Sequence, residues 1–485
     1  MSAGMILSRP FTRPFTRPFT RPSKRLRRRA AMAVVLPVAL LLAACAGPRV
    51  APSPSAAPEV PAELPLMQAG APAETAPMRW SDFVRDAQVR ALVEQALANN
   101  RDLRVAVLNV QRAQAQFEAT DANRSPTIGV GGSISRAPNT RGDEANTLSA
   151  GVQLASWEVD LFGRLRKLSD AARTQVLASE AGRRATELAL VAQVVQAALA
   201  WQADSESLAL ARRTLDSREA GLKLVELRER AGAVSLLDLQ AQRTLVSQAR
   251  AAVAQSMRQQ AQDRNLLALL VGQPVADTAL PAPVLATAAL ADVPVGVSSQ
   301  VLWRRPDVVQ AEQLLAAAQA NIAAARAAYW PSLTLTAQGG QASNTLAGLL
   351  QGGNFAYTVA ANAALQIFDG GRRQANVDSA VAARQIALAQ YERAVQAAFR
   401  ETADALAGLG TWRAQLVAQQ EQVAAARDSA RLVALKAQQG AASELERLDA
   451  ERTLLAAELA EVQLRLAELG NRVALFKAVG GPIAP

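Results

Sequence analysis

Residues 302–340 read LWRRPDVVQAEQLLAAAQANIAAARAAYWPSLTLTAQGG, and residues 355–373, beyond a polar loop, read FAYTVAANAALQIFDGGRR. Small residues and Leu recur at three- and four-residue spacing as far as Pro331. Period-2 alternation then takes over in two segments joined by a Gly-rich loop. That is the pattern of a helix feeding a β-hairpin. After Gly370-Gly371 an Ala-, Gln- and Arg-rich helical pattern resumes, with no proline before Pro482. Strands are a short interruption between very long helices.

The same landmarks occur upstream in weaker form. Asp102 and Asp307 are 205 residues apart, as are Pro126 and Pro331. Gly163 and Gly371, Gly232 and Gly440, Ser235 and Ser443, and Val271-Gly272 and Val479-Gly480 are each 208 apart. The slip from 205 to 208 falls between the Pro and the Gly, so the second hairpin loop is expected to be three residues longer. The predicted organisation is a signal segment over 1–44, a lipid anchor and tether over 45–80, and two repeats over 81–280 and 281–485. The first holds a hairpin at 127–158 and a long helix pair at 168–271. The second holds a linker, a helix at 306–329, a hairpin at 333–368 and a helix pair at 375–479.

Half of the residues are hydrophobic and only 4% aromatic, which suits close-packed helices better than a bulky core. The net charge of +10 invites a nucleic-acid reading, but residues 1–30 hold nine Lys/Arg and no acid, leaving 43 basic against 42 acidic residues. The body is nearly neutral, so no nucleic-acid partner is expected. The excess belongs to a secretory signal: a basic KRLRRR, the apolar run AAMAVVLPVALLLAA, then Cys45. At about 15 residues the run is short for a spanning helix, which needs about 20. Leu42-Ala43-Ala44-Cys45 resembles the bacterial lipobox, which implies a covalent lipid, palmitate included, on Cys45, the chain's single cysteine. Ala46 beyond it fits sorting to the outer membrane. Residues 46–77 contain eight prolines and read as an extended tether. The repeated RPFT unit near the start carries no assigned role.

Ser81 can cap a helix running to Asn100 and on to Asn123. Thr127–Ala137, Thr147–Glu158, Leu333–Ala342 and Ala356–Phe368 alternate as strands. Leu148, Ala150, Val152 and Leu154 share one face, as do Tyr357, Val359, Ala361, Ala363, Leu365 and Ile367. Strands of about ten residues can cross a bilayer when tilted. A sheet in lipid has to close, and about eight strands is the smallest number that does so. Four strands therefore require partner copies, unless the sheet is a soluble one. Leu168 to Arg230 would span about 95 Å and Leu236 to Val271 about 54 Å. The helix from Pro306 to Tyr329, about 36 Å long, supplies the missing wall. The expected body is a long antiparallel coiled-coil tube.

The span from Trp80 to Gly480 resembles the TolC-like outer-membrane efflux proteins, in the lipoprotein branch of NodT/OprM type. The residues that carry the resemblance are 302–335, SWEVDLFGRLR at 156–166 and IFDGGRR at 367–373. It implies a mainly α fold, a homotrimer whose twelve strands form one barrel, and a twelve-helix periplasmic tube. Pro126, Gly163, Pro331 and Gly371 would be the helix–strand and strand–helix joints. The turns with Gly232, Ser235, Gly440 and Ser443 would meet a periplasmic adaptor, itself bound to an inner-membrane RND-type transporter. Asp238, Glu446 and Asp449 would line the periplasmic aperture as a gate, although the first turn is one residue shorter than the family pattern before Arg243.

No catalytic chemistry competes: the chain has no His, and no phosphate loop, zinc spacing or serine-hydrolase elbow. The expected protein is not an enzyme and holds no metal and no cofactor beyond its lipid. It is expected to be a passive exit duct for drugs or other small toxic compounds. A duct for type I protein secretion and a structural coiled-coil lipoprotein are the alternatives.

Overall fold

The computed structural model describes residues 78–480, apart from 139–141, 143, 294–298, 350 and 352–353. Cys45, the signal segment and the tether lie outside the described residues. Seven helices and four strands carry the architecture: α1 (Ala87–Asn99), α2 (Arg101–Ala122), β1 (Thr127–Pro138), β2 (Glu144–Val159), α3 (Arg164–Arg230), α4 (Leu236–Val271), α5 (Pro306–Ala327), β3 (Ser332–Ser343), β4 (Phe355–Ala364), α6 (Arg372–Gln438) and α7 (Glu444–Ala478). Single helical turns at Trp80–Phe83 and Leu346–Leu349 and three 3₁₀ turns between α4 and α5 complete it.

Two details of the N-terminal helix differ from the periodic reading. Ser81 sits inside the single turn Trp80–Phe83, and the cap of α1 is Asp86, whose carboxylate accepts from the N–H groups of Gln88 and Val89 at 2.8 and 3.1 Å. The helix also breaks at Asn100, which is extended (φ −60, ψ 134) and caps α2 by accepting from Leu103 N–H at 2.9 Å. A residue that can satisfy a free N–H locally makes an interruption cheap.

The break has a purpose visible at its other atom. Asn100 Nδ2 donates to the carbonyl of Leu270 at 2.8 Å, near the end of α4. Gly272, left-handed at φ 79, brings the chain so close that a Cβ there would lie 2.5 Å from the Asn99 carbonyl oxygen. Arg305, 205 residues after Asn100, does the same at the end of α7: its Nη1 donates to the Ala478 carbonyl at 3.2 Å. Thus α4 abuts α2 and α7 abuts α5, and each pair of short helices runs alongside an unbroken one of 67 residues.

The packing order follows. In the half bearing the strands, α2 packs on α3, α3 on α5 and α5 on α6; in the other half, α4 packs on α3, α3 on α7 and α7 on α6. The helical layer therefore has α2 and α4 along one margin and α6 along the other. The largest core lies where α1 and the linker cross the middle of α3 and the ends of α4 and α7. There Phe83 stacks on Phe476 with centroids 4.5 Å apart, among Leu92, Leu199, Leu267, Leu285 and Leu469.

The strands form one antiparallel sheet in the order β1-β2-β3-β4. Its register puts Ile128, Val130, Ile134, Val152, Leu154, Leu335, Tyr357 and Val359 on one face, with Gln341, Ser343, Arg136, Asn146 and Glu144 as polar exceptions toward the hairpin-loop end. Ser133, Ser149, Gln153, Thr334, Thr336, Gln338, Thr358 and Asn362 occupy the other. A bulge, with Ala155 and Ser156 opposite Thr336, keeps Trp157 on the apolar face. β4 stops at Ala364, so Leu365, Ile367 and Phe368 lie beyond the strand expected to include them. Its partner β3 begins only after Pro331, leaving nothing for those residues to pair with. Between β3 and β4 the chain forms the Leu346–Leu349 turn.

Candidate functional site at the helix turns and strand joints

The turns joining α3 to α4 and α6 to α7 are built alike. Gly232 and Gly440 take φ 72 and 73, the left-handed region open to glycine at no steric cost. Ala233 N–H donates to the Arg228 carbonyl and Ala441 N–H to the Lys436 carbonyl, both at 2.8 Å, closing the ends of the long helices. Ser235 then caps α4 and Ser443 caps α7, each in a reciprocal capping box. Asp238 N–H donates to Ser235 Oγ at 3.2 Å while Asp238 Oδ2 accepts from Ser235 N–H at 3.1 Å; Glu446 and Ser443 repeat this at 3.2 and 2.7 Å. The Ser235 hydroxyl holds the Asp238 carboxyl below its usual range, and the Ser443 backbone N–H does so for Glu446.

Asp238 and Glu446 are thus engaged in their own caps. Asp449 is exposed and pairs with Arg452 at 2.6 Å, one helical turn on. Among the described residues, no ion pair or hydrogen bond joins any two of these acids to each other, and the ties between the two helical hairpins are made by other residues. Along the α3–α7 seam, Arg465 pairs with Glu206 at 2.6 Å, Arg213 approaches Glu458 at 4.0 Å, and Arg218 pairs with Glu451 at 3.3 Å. The α7 members recur every seven residues, the repeat that keeps one stripe of a helix against its neighbour. Arg218 is the buried rung, 6% exposed, and its Nη2 also donates to the Leu448 carbonyl at 3.4 Å. Burial and the nearby Arg447 guanidinium oppose its charge and Glu451 supports it, leaving its proton affinity below that of an ordinary Arg. Arg447 is in turn gripped by Glu444 and Glu451, and Gln242 of α4 donates to Glu444 at 3.5 Å.

The joints use acids that the glycine pattern did not single out. Gly163 and Gly371 precede α3 and α6 with φ 76 and 87. The free N–H groups of the first turns go to Asp160, which accepts from Leu165 and Arg166 at 3.1 and 2.7 Å, and to Asp369, which accepts from Gly371 and Arg373 at 3.1 and 3.2 Å. An acid just before a helix is a readable start signal, and both stand in the quoted motifs. Pro126 and Pro331 immediately precede β1 and β3. Beside them Phe162 and Trp330 stack at 5.2 Å, 45% and 56% exposed.

Among the described residues no helix is long and apolar enough to cross a membrane. A sheet with one apolar and one polar face, set on helices of about 100 Å, defines a class: membrane-inserted strands continuing a helical conduit. The chain belongs to the outer membrane efflux protein family, whose model matches residues 92–273 and 297–481 in succession. It is 39% identical over 420 residues to outer membrane protein OprJ of Pseudomonas aeruginosa, covering 85% of this chain and 87% of that one. It is 38% identical to the cation efflux system protein CusC of Escherichia coli O157:H7, covering 83% and 88%. Among solved structures, the open state of the Neisseria gonorrhoeae MtrE outer membrane channel superposes with a TM-score of 0.79 at 34% identity, covering 88% of this chain and 96% of that one. The protein is an outer-membrane channel of the efflux class.

Proposed function

We propose that three copies of this chain form the passive exit duct of a tripartite efflux system for drugs or other small toxic compounds. The observation that carries the assembly is the agreement of open margins. β1, which follows α2, and β4, which precedes α6, are the unpaired edges of the sheet, and α2/α4 and α6 are the margins of the helical layer. A neighbouring copy laid along one side would meet strand edge and helix margin together. Three copies of four strands make twelve, with the apolar face toward lipid and the polar face toward the lumen.

The chain reads as an internal duplication, supported by the two successive family matches and by the like-built turns and helix joints. The two turns are the ends that would dock a periplasmic adaptor linked to an inner-membrane RND-type transporter, through Gly232, Ser235, Gly440 and Ser443. Asp238, Glu446 and Asp449, with the Arg218–Glu451 seam beside them, would set the aperture. Cys45 would carry the lipid that anchors the tether. Relatives at nearly equal identity are named for toluene and for cation efflux, at 39% and 38%, which supports a wall that selects little and leaves selection to the transporter. Planar-bilayer recording tests the duct: the purified protein should insert as a trimer with discrete conductance, and a lack of conductance in wild type and in aperture-loosened variants alike would end the reading.

A further inference from the structure

One charged cluster in the second half has a counterpart in the first that lacks a member. On α7, Glu458 lies between two arginines: Arg427 of α6, in its own helical hairpin, at 2.9 Å, and Arg213 of α3, across the seam, at 4.0 Å. The residues 208 positions away from Glu458, Arg427 and Arg213 are Arg250, Glu219 and Glu421, so all three signs are reversed. Part of the reversed cluster forms within the chain. Arg250 of α4 pairs with Glu219 of α3 at 2.7 Å, the counterpart of the Glu458–Arg427 pair, and 64% of its side chain stays exposed. Glu421 stands apart from them. It is exposed on α6, whereas Arg250 is on α4, and these helices form opposite margins of the layer. Among the described residues Glu421 has no ion-pair or hydrogen-bond partner.

We propose that Glu421 of one copy pairs with Arg250 of the partner subunit, so that the contact between copies repeats the internal α3–α7 seam with its charges reversed; this rests on the duplication and the trimer proposed above. Carried across the open margins, the packing of α3 on α7 recurs as α6 on the α4 of a neighbouring copy. The other two rungs of the seam lose their charge pairing in this translation. Glu206 and Arg465 become Ala414 and Met257, while Arg218 and Glu451 become Ala426 and Arg243, and Arg243 is already taken by Glu226 at 3.6 Å. The Glu421–Arg250 pair is therefore the ladder's one ionic rung between copies. The reversal also selects how copies meet. Copies inserted in one membrane share an orientation, so two α4 margins side by side would oppose Arg250 to its own equivalent, and two α6 margins would do the same with Glu421. Only α6 against α4 is attractive, and that head-to-tail contact is the kind that closes a ring.

Cross-linking tests the placement. Full-length protein carrying Glu421→Cys and Arg250→Cys, treated with a short bifunctional maleimide, should give a covalent ladder ending at three chains. Each single variant should stay at one chain, which controls for Cys45. Charge reversal tests the pairing. Glu219→Arg with Arg250→Glu keeps an ion pair inside each chain but sets like charges against the partner subunit's Glu421, so trimers should exchange subunits about tenfold faster at low salt. Adding Glu421→Arg should restore slow exchange, and high salt should shrink the difference. Double-cysteine protein that fails to cross-link yet weighs three chains in native mass spectrometry would overturn the pairing and leave the trimer standing. Exchange unmoved by the double reversal would overturn it as well. A mass other than three chains for the wild type would remove the trimer, and this contact with it.

Discussion

At the scale of single residues, the sheet depends most on two glycines facing each other across β2 and β3. A Cβ on Gly151 would lie 2.4 Å from the Gly339 carbonyl oxygen, and one on Gly340 would lie 2.2 Å from that of Ala150. These are backbone atoms that cannot move aside without parting the strands. Gly129, on the same polar face, has nothing within 4 Å of its missing Cβ. Gly340→Ala or Gly151→Ala should therefore abolish heat-resistant oligomers on gels, while Gly129→Ala leaves them intact. The serine caps act more gently. Ser235→Ala and Ser443→Ala should each cost about 1 kcal/mol. The carboxylates they hold are kept below their usual range, so the carboxylate side of each box, separate from the hydroxyl cap, contributes above about pH 4 and is lost as pH falls further. Melting curves of the double variant should thus start lower at neutral pH and fall less on acidification. At Cys45, Cys45→Ser should abolish labelling with radioactive palmitate, and retained label would remove the lipid assignment.

At the scale of elements, the two end-to-end joints are alike in geometry and unlike in chemistry. Asn100 makes one neutral tie to Leu270, whereas Arg305, buried, also pairs with Asp307 and Glu401 at 2.8 and 2.9 Å. Asn100→Ala should cost about 1–2 kcal/mol. Arg305→Ala should cost more, about 2–4 kcal/mol, because two half-exposed carboxylates lose their cation. Thermal melting should rank them in that order. The seam is held differently: Arg218→Glu would set two acids against each other and should raise channel leak and sensitivity to large antibiotics. Adding Glu451→Arg should restore the wild-type level, and unchanged leak in the single variant would exclude the seam from the aperture. The long helices, hairpins and capped turns were legible because spacing, Gly and Ser report local geometry. Asn100 as a break was not, since its reason is a carbonyl 170 residues away. Arg447 sits within a visible i, i+3 and i+4 charge pattern, but the burial of Arg218 depends on which helix lies against it, and periodicity carries no such information.

At the scale of the whole molecule, the proposed three copies agree with what a channel needs. Two copies would close eight strands, and an eight-stranded barrel has an interior that side chains just fill. The polar face, which would turn inward, carries Gln153, Gln338, Thr336 and Asn362, ample to block so narrow a bore. Twelve strands leave a water-filled lumen lined by the same polar groups, which is the arrangement compatible with conduction. In the proposed trimer the apolar face would lie in lipid, and Trp330 and Phe162 at the joint would fall at its inner boundary, where aromatic side chains partition between hydrocarbon and water. Two measurements test this together. In vesicles containing brominated lipid, quenching of tryptophan fluorescence should fall substantially in Trp330→Phe, whereas removing the buried Trp80 should leave quenching unchanged. Native mass spectrometry of the detergent-solubilised protein should read three chains. A mass of two chains would rule out the water-filled barrel, because the side chains of its own polar face would occupy the bore.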